Sequence, residues 1–367
     1  MKKVLKYGVL TALAVLLLVA AYFFTVRSLD RNYAESGPDP EAVATQQSTL
    51  PDAPLRLAAH FEDGERFYLK LPLSEGGELM AFCDTGGGVS MLIPGLERWS
   101  DLNLRSRYGV LKGLLPMEYV HFDDLVAAPD YPRPQSLPSM VLRNPFLRVT
   151  EPYLLLPPLD GDLQFMRKSM PDMEAFLGQS FFVGQSWTFD YLRQEVWVGT
   201  PLPESMANDP EVQRLGFKTN QHQVKLYGHP SMRIEIEGES IDVLFDTGAT
   251  MVLSDEGRQL LGTDRRTLGG SFIAVSLYDK WRAEHPEWKH YPKADLAGDI
   301  IEVPRVKVGG HEVGPVRFAT RPDRNWSHGM IHSMDRVVRG AVGGTLLKHF
   351  TVTADYNSDL IRFARDP

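Results

Sequence analysis

The chain repeats itself, and that repeat limits its fold more than any other feature. Residues 79–88, LMAFCDTGGG, match residues 241–250, IDVLFDTGAT: an apolar run enters Asp-Thr-Gly and leaves through small residues into a second apolar stretch. The second aspartate, Asp246, follows Asp84 by 162 positions. Further on, residues 176–198, FLGQSFFVGQSWTFDYLRQEVWV, align without a gap on residues 341–363, AVGGTLLKHFTVTADYNSDLIRF. Gly178 falls on Gly343, Thr188 on Thr353, Asp190 on Asp355 and Tyr191 on Tyr356. The distances from aspartate to glycine, 94 and 97 residues, are nearly equal. One tripeptide recurs easily by chance; two composite motifs in the same order at nearly the same spacing mean a duplicated lobe.

The length of 367 residues suits about two domains at roughly 150 residues each. From about residue 55 onward, short apolar or alternating runs are separated by Gly, Pro, Asn and Asp clusters, the pattern of a mostly β protein. Helical candidates are short: 172–176, 209–215 and 255–261. The expected organisation is a signal anchor over 1–28, a disordered tether over 29–54, lobes over 55–200 and 225–367, and an interlobe linker over 201–224. Two inserts, 123–170 and 278–339, lengthen the lobes.

An aspartate ending a buried strand, held in a tight Thr-Gly turn, needs a reason. The glycine lets the backbone bend and turn N–H groups toward the carboxylate, and the threonine hydroxyl can bond across to the other copy. If the lobes pack about a pseudo-twofold axis, Asp84 and Asp246 meet there. Two carboxyls in contact cannot both ionise, so they share a proton: one acts as base on a water and the other polarises a carbonyl. That is chemistry for hydrolysing an amide without a metal or a covalent intermediate.

At these residues the chain resembles the aspartic proteases, with hydrophobic-hydrophobic-Asp-Thr-Gly twice and hydrophobic-hydrophobic-Gly twice (176–178 and 341–343). The repeated ending most resembles bacterial retropepsin-like proteins, with two copies fused in one chain. The resemblance implies two small β-barrels in a bilobal body and an active site in the cleft between them. It also implies an aspartic endopeptidase that needs no cofactor, acting on peptides or exposed protein segments. Asp84 and Asp246 would be catalytic, with Thr85, Gly86, Thr247, Gly248 and Thr250 in support. Retropepsin-like lobes carry a glycine-bearing flap some two dozen residues after the aspartate, where this chain has Tyr108-Gly109 and Gly269-Gly270. The first copy departs from the family pattern at Gly87-Gly88, which removes a hydroxyl that the second keeps at Thr250.

The amino terminus sets the compartment. Residues 8–26 carry no charge and follow Lys2, Lys3 and Lys6, a stretch long enough to cross a bilayer. Bulky Tyr22, Phe23 and Phe24 follow Ala20-Ala21, favouring an uncleaved anchor; a cleaved signal would leave a secreted body. The positive flank keeps that end in the cytoplasm, so in a bacterium the body lies in the periplasm. The first 28 residues hold four basic residues and no acid, leaving a body more acidic than the overall charge of −8 and without the basic footprint of a nucleic-acid binder.

Cys83 is the single cysteine, so an intrachain disulfide and a Cys-rich metal site are excluded. His328 and His332 stand four apart but lack the glutamate of His-Glu-x-x-His and a third ligand, so no metal is expected. Asp190 and Asp355, at hairpin turns, read as structural. The aromatic stretch 278–291 reads as loop or packing surface, with substrate contact as the alternative. The competing reading from another class is a noncatalytic protease-like binding module of the cell envelope; retention of both Asp-Thr-Gly triplets argues against it. Nothing in the residues specifies an oligomeric state.

Overall fold

The structure, a computed structural model, describes residues 2–36, 53–102 and 104–365. It is a mostly β, bilobal body preceded by an apolar N-terminal helix. Each lobe is built outward from a hairpin. In the first, Arg66–Pro72 pairs antiparallel with Glu78–Cys83; in the second, Ser231–Ile236 pairs with Glu239–Phe245. The second hairpin closes through Glu237-Gly238, both at positive φ, as a two-residue turn between twisted strands requires. Both inner strands alternate buried and open residues at their outer ends and become continuously buried as they run into Asp84 and Asp246. That change marks where a sheet passes from one covered face to two.

The hydrophobic-hydrophobic-Gly segments complete each inner strand. Ala175–Leu177 lies parallel to residues 81–83, and Gly340–Val342 lies parallel to the end of the second inner strand. Antiparallel neighbours, Met91–Leu92 and Phe272–Ala274, cover the other side of these segments. The sheets thus reach ten strands in the first lobe and nine in the second among the described residues.

A six-stranded sheet joins the lobes. At its centre Ser186–Asp190 pairs antiparallel with Thr351–Asp355, and Thr188 stands opposite its own repeat partner, Thr353. Their hydroxyls are 2.9 Å apart. A residue opposite its own copy in an antiparallel pair marks a local twofold axis, so the duplication became symmetry. One apolar core runs through the interface: Phe67 packs on Phe189, and Phe189 on Phe245, at ring separations of 5.3 and 6.2 Å.

Three features differ from the linear reading. The N-terminal helix spans Lys2–Ser36, so residues 29–36 of the expected tether are helical; residues 37–52 lie outside the described residues. The expected linker contributes Val212–Arg214, an edge strand of the shared sheet paired with Leu360–Ala364. Of the helical candidates, Asp255–Leu261 is a helix capped by Ser254, whereas 172–176 runs into a strand and 209–215 contains one. Longer helices of the body are instead Gly161–Ser169, within the first insert, and Val275–Glu284, which leads into the second. Leu277, Tyr278 and Trp281 face inward from the latter at helical spacing, and of the aromatic stretch Tyr278, Trp281 and Trp288 pack in the core.

Candidate active site

The two aspartates are delivered by equivalent bonds. The Asp84 N–H donates to the Leu177 carbonyl at 2.9 Å, and the Asp246 N–H donates to the Val342 carbonyl at 2.9 Å. Each aspartate is therefore pinned where its inner strand leaves the parallel pair. Asp246 is buried and Asp84 half-buried.

The threonines latch the lobes together. The Thr247 hydroxyl accepts the Thr85 N–H at 3.1 Å, and the Thr85 hydroxyl accepts the Thr247 N–H at 3.0 Å. Each hydroxyl then donates across the axis, Thr85 to the Phe245 carbonyl at 2.9 Å and Thr247 to the Cys83 carbonyl at 3.1 Å. Four reciprocal bonds, with both threonines fully buried, fix the lobes to each other at the depth of the carboxyls.

The glycines meet half of the expectation: the Gly248 N–H does turn toward its own carboxylate, but the bend does not require glycine. Neither Gly86 nor Gly248 is among the residues at positive φ, so the turn itself does not demand glycine. A β-carbon on Gly248 would lie 2.3 Å from Asp84 Cγ, and one on Gly86 would lie 2.7 Å from Asp246 Cγ. Each glycine leaves room for the carboxyl of the opposite copy.

The carboxyls are unequal. The two carboxyls face each other within hydrogen-bonding reach. Burial and the charge of Asp246 push Asp84 well above the usual carboxylate range, against the N–H groups of Gly86 and Gly87. Asp246 is also raised by burial, but hydrogen bonds from Asp84, Gly248 and Ala249 favour its charged form. The Gly248 N–H reaches Asp246 Oδ1 at 3.1 Å, whereas Asp84 Oδ1 is buried without a hydrogen-bond partner. Both carboxyls are pushed up by burial, so the pair holds one shared proton as a unit.

Gly87 has its own cause. A β-carbon there would lie 2.4 Å from the Phe176 ring and 2.9 Å from Asp84 Cγ, so the ring occupies that space. Thr250 does not hold its aspartate directly: its hydroxyl donates to the Gly248 carbonyl at 2.8 Å and accepts from Arg66 at 3.1 Å.

That arginine belongs to a pair of supports that the sequence reading missed. Arg66, fully buried, reaches from the first lobe to Thr250 and Thr267 of the second and ion-pairs with Glu62 at 2.6 Å. His229, also buried, reaches back from the second lobe to the Gly87 carbonyl at 3.0 Å. Arg66 stands 18 residues before Asp84 and His229 stands 17 before Asp246, so extending the repeat toward the N-terminus would have exposed them. Burial lowers the His229 pKa, leaving the ring neutral.

Beside Asp246 an open cleft is lined by Gly86, Leu244, Phe272, Trp326 and Met330, with Arg321 and Arg324 at its edge. Arg321 stacks on Phe272 and pairs with buried Asp295, while Trp326 packs under the floor. Arg321, Arg324, Trp326 and Met330 come from the second insert.

The two flap candidates fall in unlike places. Tyr108 and Gly109 lie on the hairpin Ser106–Leu111/Leu115–His121, with Tyr108 exposed, and the hairpin tip rests on the N-terminal helix. Gly269 and Gly270 lie on no such hairpin. Thr267–Gly269 pairs with Thr250–Val252, Gly270 donates to Ala249, and a β-carbon on Gly269 would strike Glu65. The spacing misled because the second lobe inserts that pair and a helix straight after its aspartate. Accordingly Ser90 and Ser271, 6 and 25 residues beyond their aspartates, do the same job of accepting the Gly178 and Gly343 N–H groups. Counted from there, the counterpart of the first hairpin is Lys289–Asp295/Gly298–Val303.

Asp190 and Asp355 accept turn N–H groups, from Arg193 and Asn357 respectively, each at 2.9 Å. Cys83 is buried, and burial pushes its thiol pKa up. Among the described residues no group of three or more His, Cys, Asp or Glu is placed to hold a metal.

Register and site together define a duplicated, bilobal β protein that brings one carboxyl from each copy to its pseudo-twofold axis. No protein-family model and no curated protein matches the chain. Among solved structures it is similar to the crystal structure of basic 7S globulin from soybean, at 11% identity over 86% of this chain and 95% of that one, with a TM-score of 0.41.

Proposed function

We propose that the chain is an aspartic endopeptidase held at a membrane by its N-terminal helix, with its body on the extracytoplasmic side. The observation that carries the reading is the carboxyl pair: two aspartates from equivalent strands, hydrogen-bonded to each other and unequal in proton affinity. A water between them loses a proton to Asp246 as its oxygen adds to the substrate carbonyl carbon, while Asp84 gives its proton to the carbonyl oxygen. Collapse of the tetrahedral diol breaks the C–N bond: one hydroxyl returns its proton to Asp84 as the C=O re-forms, and the leaving amine takes the proton held by Asp246, which restores the singly protonated pair. The Thr85–Thr247 latch holds the carboxyls in register through both steps, so the site requires no reorganisation as charge moves.

The helix supports the anchoring: it is long and apolar enough to cross a membrane, with Lys2, Lys3 and Lys6 at its start. The test is incubation of the detergent-solubilised full chain with a diverse peptide mixture across pH, wild type beside Asp84→Asn and Asp246→Asn, with cut sites read by mass spectrometry. Cleavage by wild type alone is expected. Cleavage retained in both variants overturns the reading; peptide bound but uncut by the wild type favours the binding-module alternative.

A further inference from the structure

The N-terminal helix is joined to the first lobe along one face. Tyr22, Val26, Asp30 and Tyr33 recur every three or four residues and so share a side of the helix. Tyr22 donates to the Pro145 carbonyl at 3.0 Å, and its ring meets Phe146 at 5.1 Å. Val26 is fully buried against Gly113, where a β-carbon would lie 2.7 Å from it. Asp30 pairs with Arg143 at 2.6 Å, with little of either side chain exposed, and Arg148 covers the Tyr33 ring. A buried ion pair, a ring contact and a filled glycine notch set a fixed angle between helix and body.

The position of this joint matters. Residues 8–26 are uncharged, and 19 residues of helix rise about 28 Å, the full depth of a hydrocarbon core. Val26 ends that stretch and Tyr22 lies one turn inside it, so the hairpin tip at Gly113 sits level with the end of the membrane-spanning segment and the 145–147 turn about one helical turn deeper. The loops brought there are apolar at their tips. Leu114 and Leu115, at the hairpin tip beside Gly113, are 49% and 52% exposed; Phe146 and Leu147, in the turn beside Tyr22, are 47% and 77% exposed. Two hairpins that present leucine and phenylalanine outward at the depth of a bilayer boundary match an interfacial lipid layer in chemistry and level.

We propose that the 112–115 hairpin tip and the 145–147 turn of the first lobe insert into the interfacial layer of the bilayer beside the helix, so that the body lies on the membrane in one fixed orientation. This rests on the anchored reading of the helix above.

The test uses the full chain in liposomes of phosphatidylethanolamine and phosphatidylglycerol, with the fully buried Cys83 left in place. An environment-sensitive fluorophore is attached through single cysteines introduced at Leu115, Leu147, Leu16 and Leu260, and lipids with a spin label high on the acyl chain serve as quencher. Leu16 reports helix insertion; Leu260, exposed on the second lobe, reports non-specific contact. The expected result is about a twofold loss of emission at 115 and 147 with none at 260. Quenching at 16 with 115 and 147 behaving like 260 overturns the proposal and leaves the anchor standing. No quenching at 16 removes the anchor and the proposal with it.

Discussion

Gly248 of the second copy lies against the carboxyl of Asp84 in the first, with no room for a methyl group between them. The closeness that lets the two carboxyls share a proton is thus written as a missing side chain on the opposite lobe. Gly248→Ala is expected to force the lobes apart at the latch, with a stability loss of about 1–3 kcal/mol and loss of cleavage. Gly88→Ala, where a β-carbon meets nothing within 4 Å, is the matched control and should retain both. Thermal melts and peptide cleavage on the two variants measure this.

Asp84 gives the protein a pH-dependent stability of unusual sign. Its folded pKa lies above its ordinary value of 3.8, so over that window the folded chain holds a proton that the unfolded chain has released. Stability therefore falls as pH rises from 3.8 through the raised pKa, with a slope approaching about 1.4 kcal/mol per pH unit, and levels off above it. Asp84→Asn removes that penalty. The variant should melt higher than wild type at pH 7, with the gap closing toward pH 3.5; a constant gap would refute the assignment.

His229 contributes the opposite slope. Its folded pKa is lowered from 6.5 by burial, so below pH 6.5 the unfolded chain binds a proton that the folded ring refuses. Stability from this group is lost as pH falls through that window. His229→Gln, which can still donate to the Gly87 carbonyl, should flatten the melting temperature between pH 6.5 and 5. His229→Ala leaves that carbonyl unpaired and should destabilise at every pH, by about 1–3 kcal/mol.

The cleft beside Asp246 should set side-chain preference. Leu244, Phe272, Trp326 and Met330 present an apolar wall, so bulky apolar residues next to the cut bond are expected. Met330→Asp should lower kcat/KM for such peptides by about tenfold or more while sparing peptides with small residues there. Profiling cut sites for both proteins decides it; an unchanged profile would show that substrates bind elsewhere.

Much of the site was legible because its logic is local and doubled. Asp84, Thr85 and Gly86 recur as Asp246, Thr247 and Gly248, and a twofold axis follows from a motif that needs its own copy. The alignment of Thr188 with Thr353 even marked the residues that face each other on the axis. The second flap was misplaced because residue counting assumes that both copies insert chain at the same point, and they do not. Arg66 and His229 were passed over because neither belongs to a motif; each matters only through the lobe it reaches into.

By itself, the sequence determined that the chain is a duplicated β protein with an apolar amino-terminal stretch and a matched pair of Asp-Thr-Gly turns. Alternating burial and tight turns act over a few residues, and a repeat exposes them twice. Only the tertiary structure decided that the two carboxyls share a proton, why three glycines crowd the site and how the helix seats against the first lobe. Those depend on burial and contact between residues as far as 164 positions apart, where a single missing β-carbon or an unpartnered oxygen breaks a symmetry that the repeat alone would have kept.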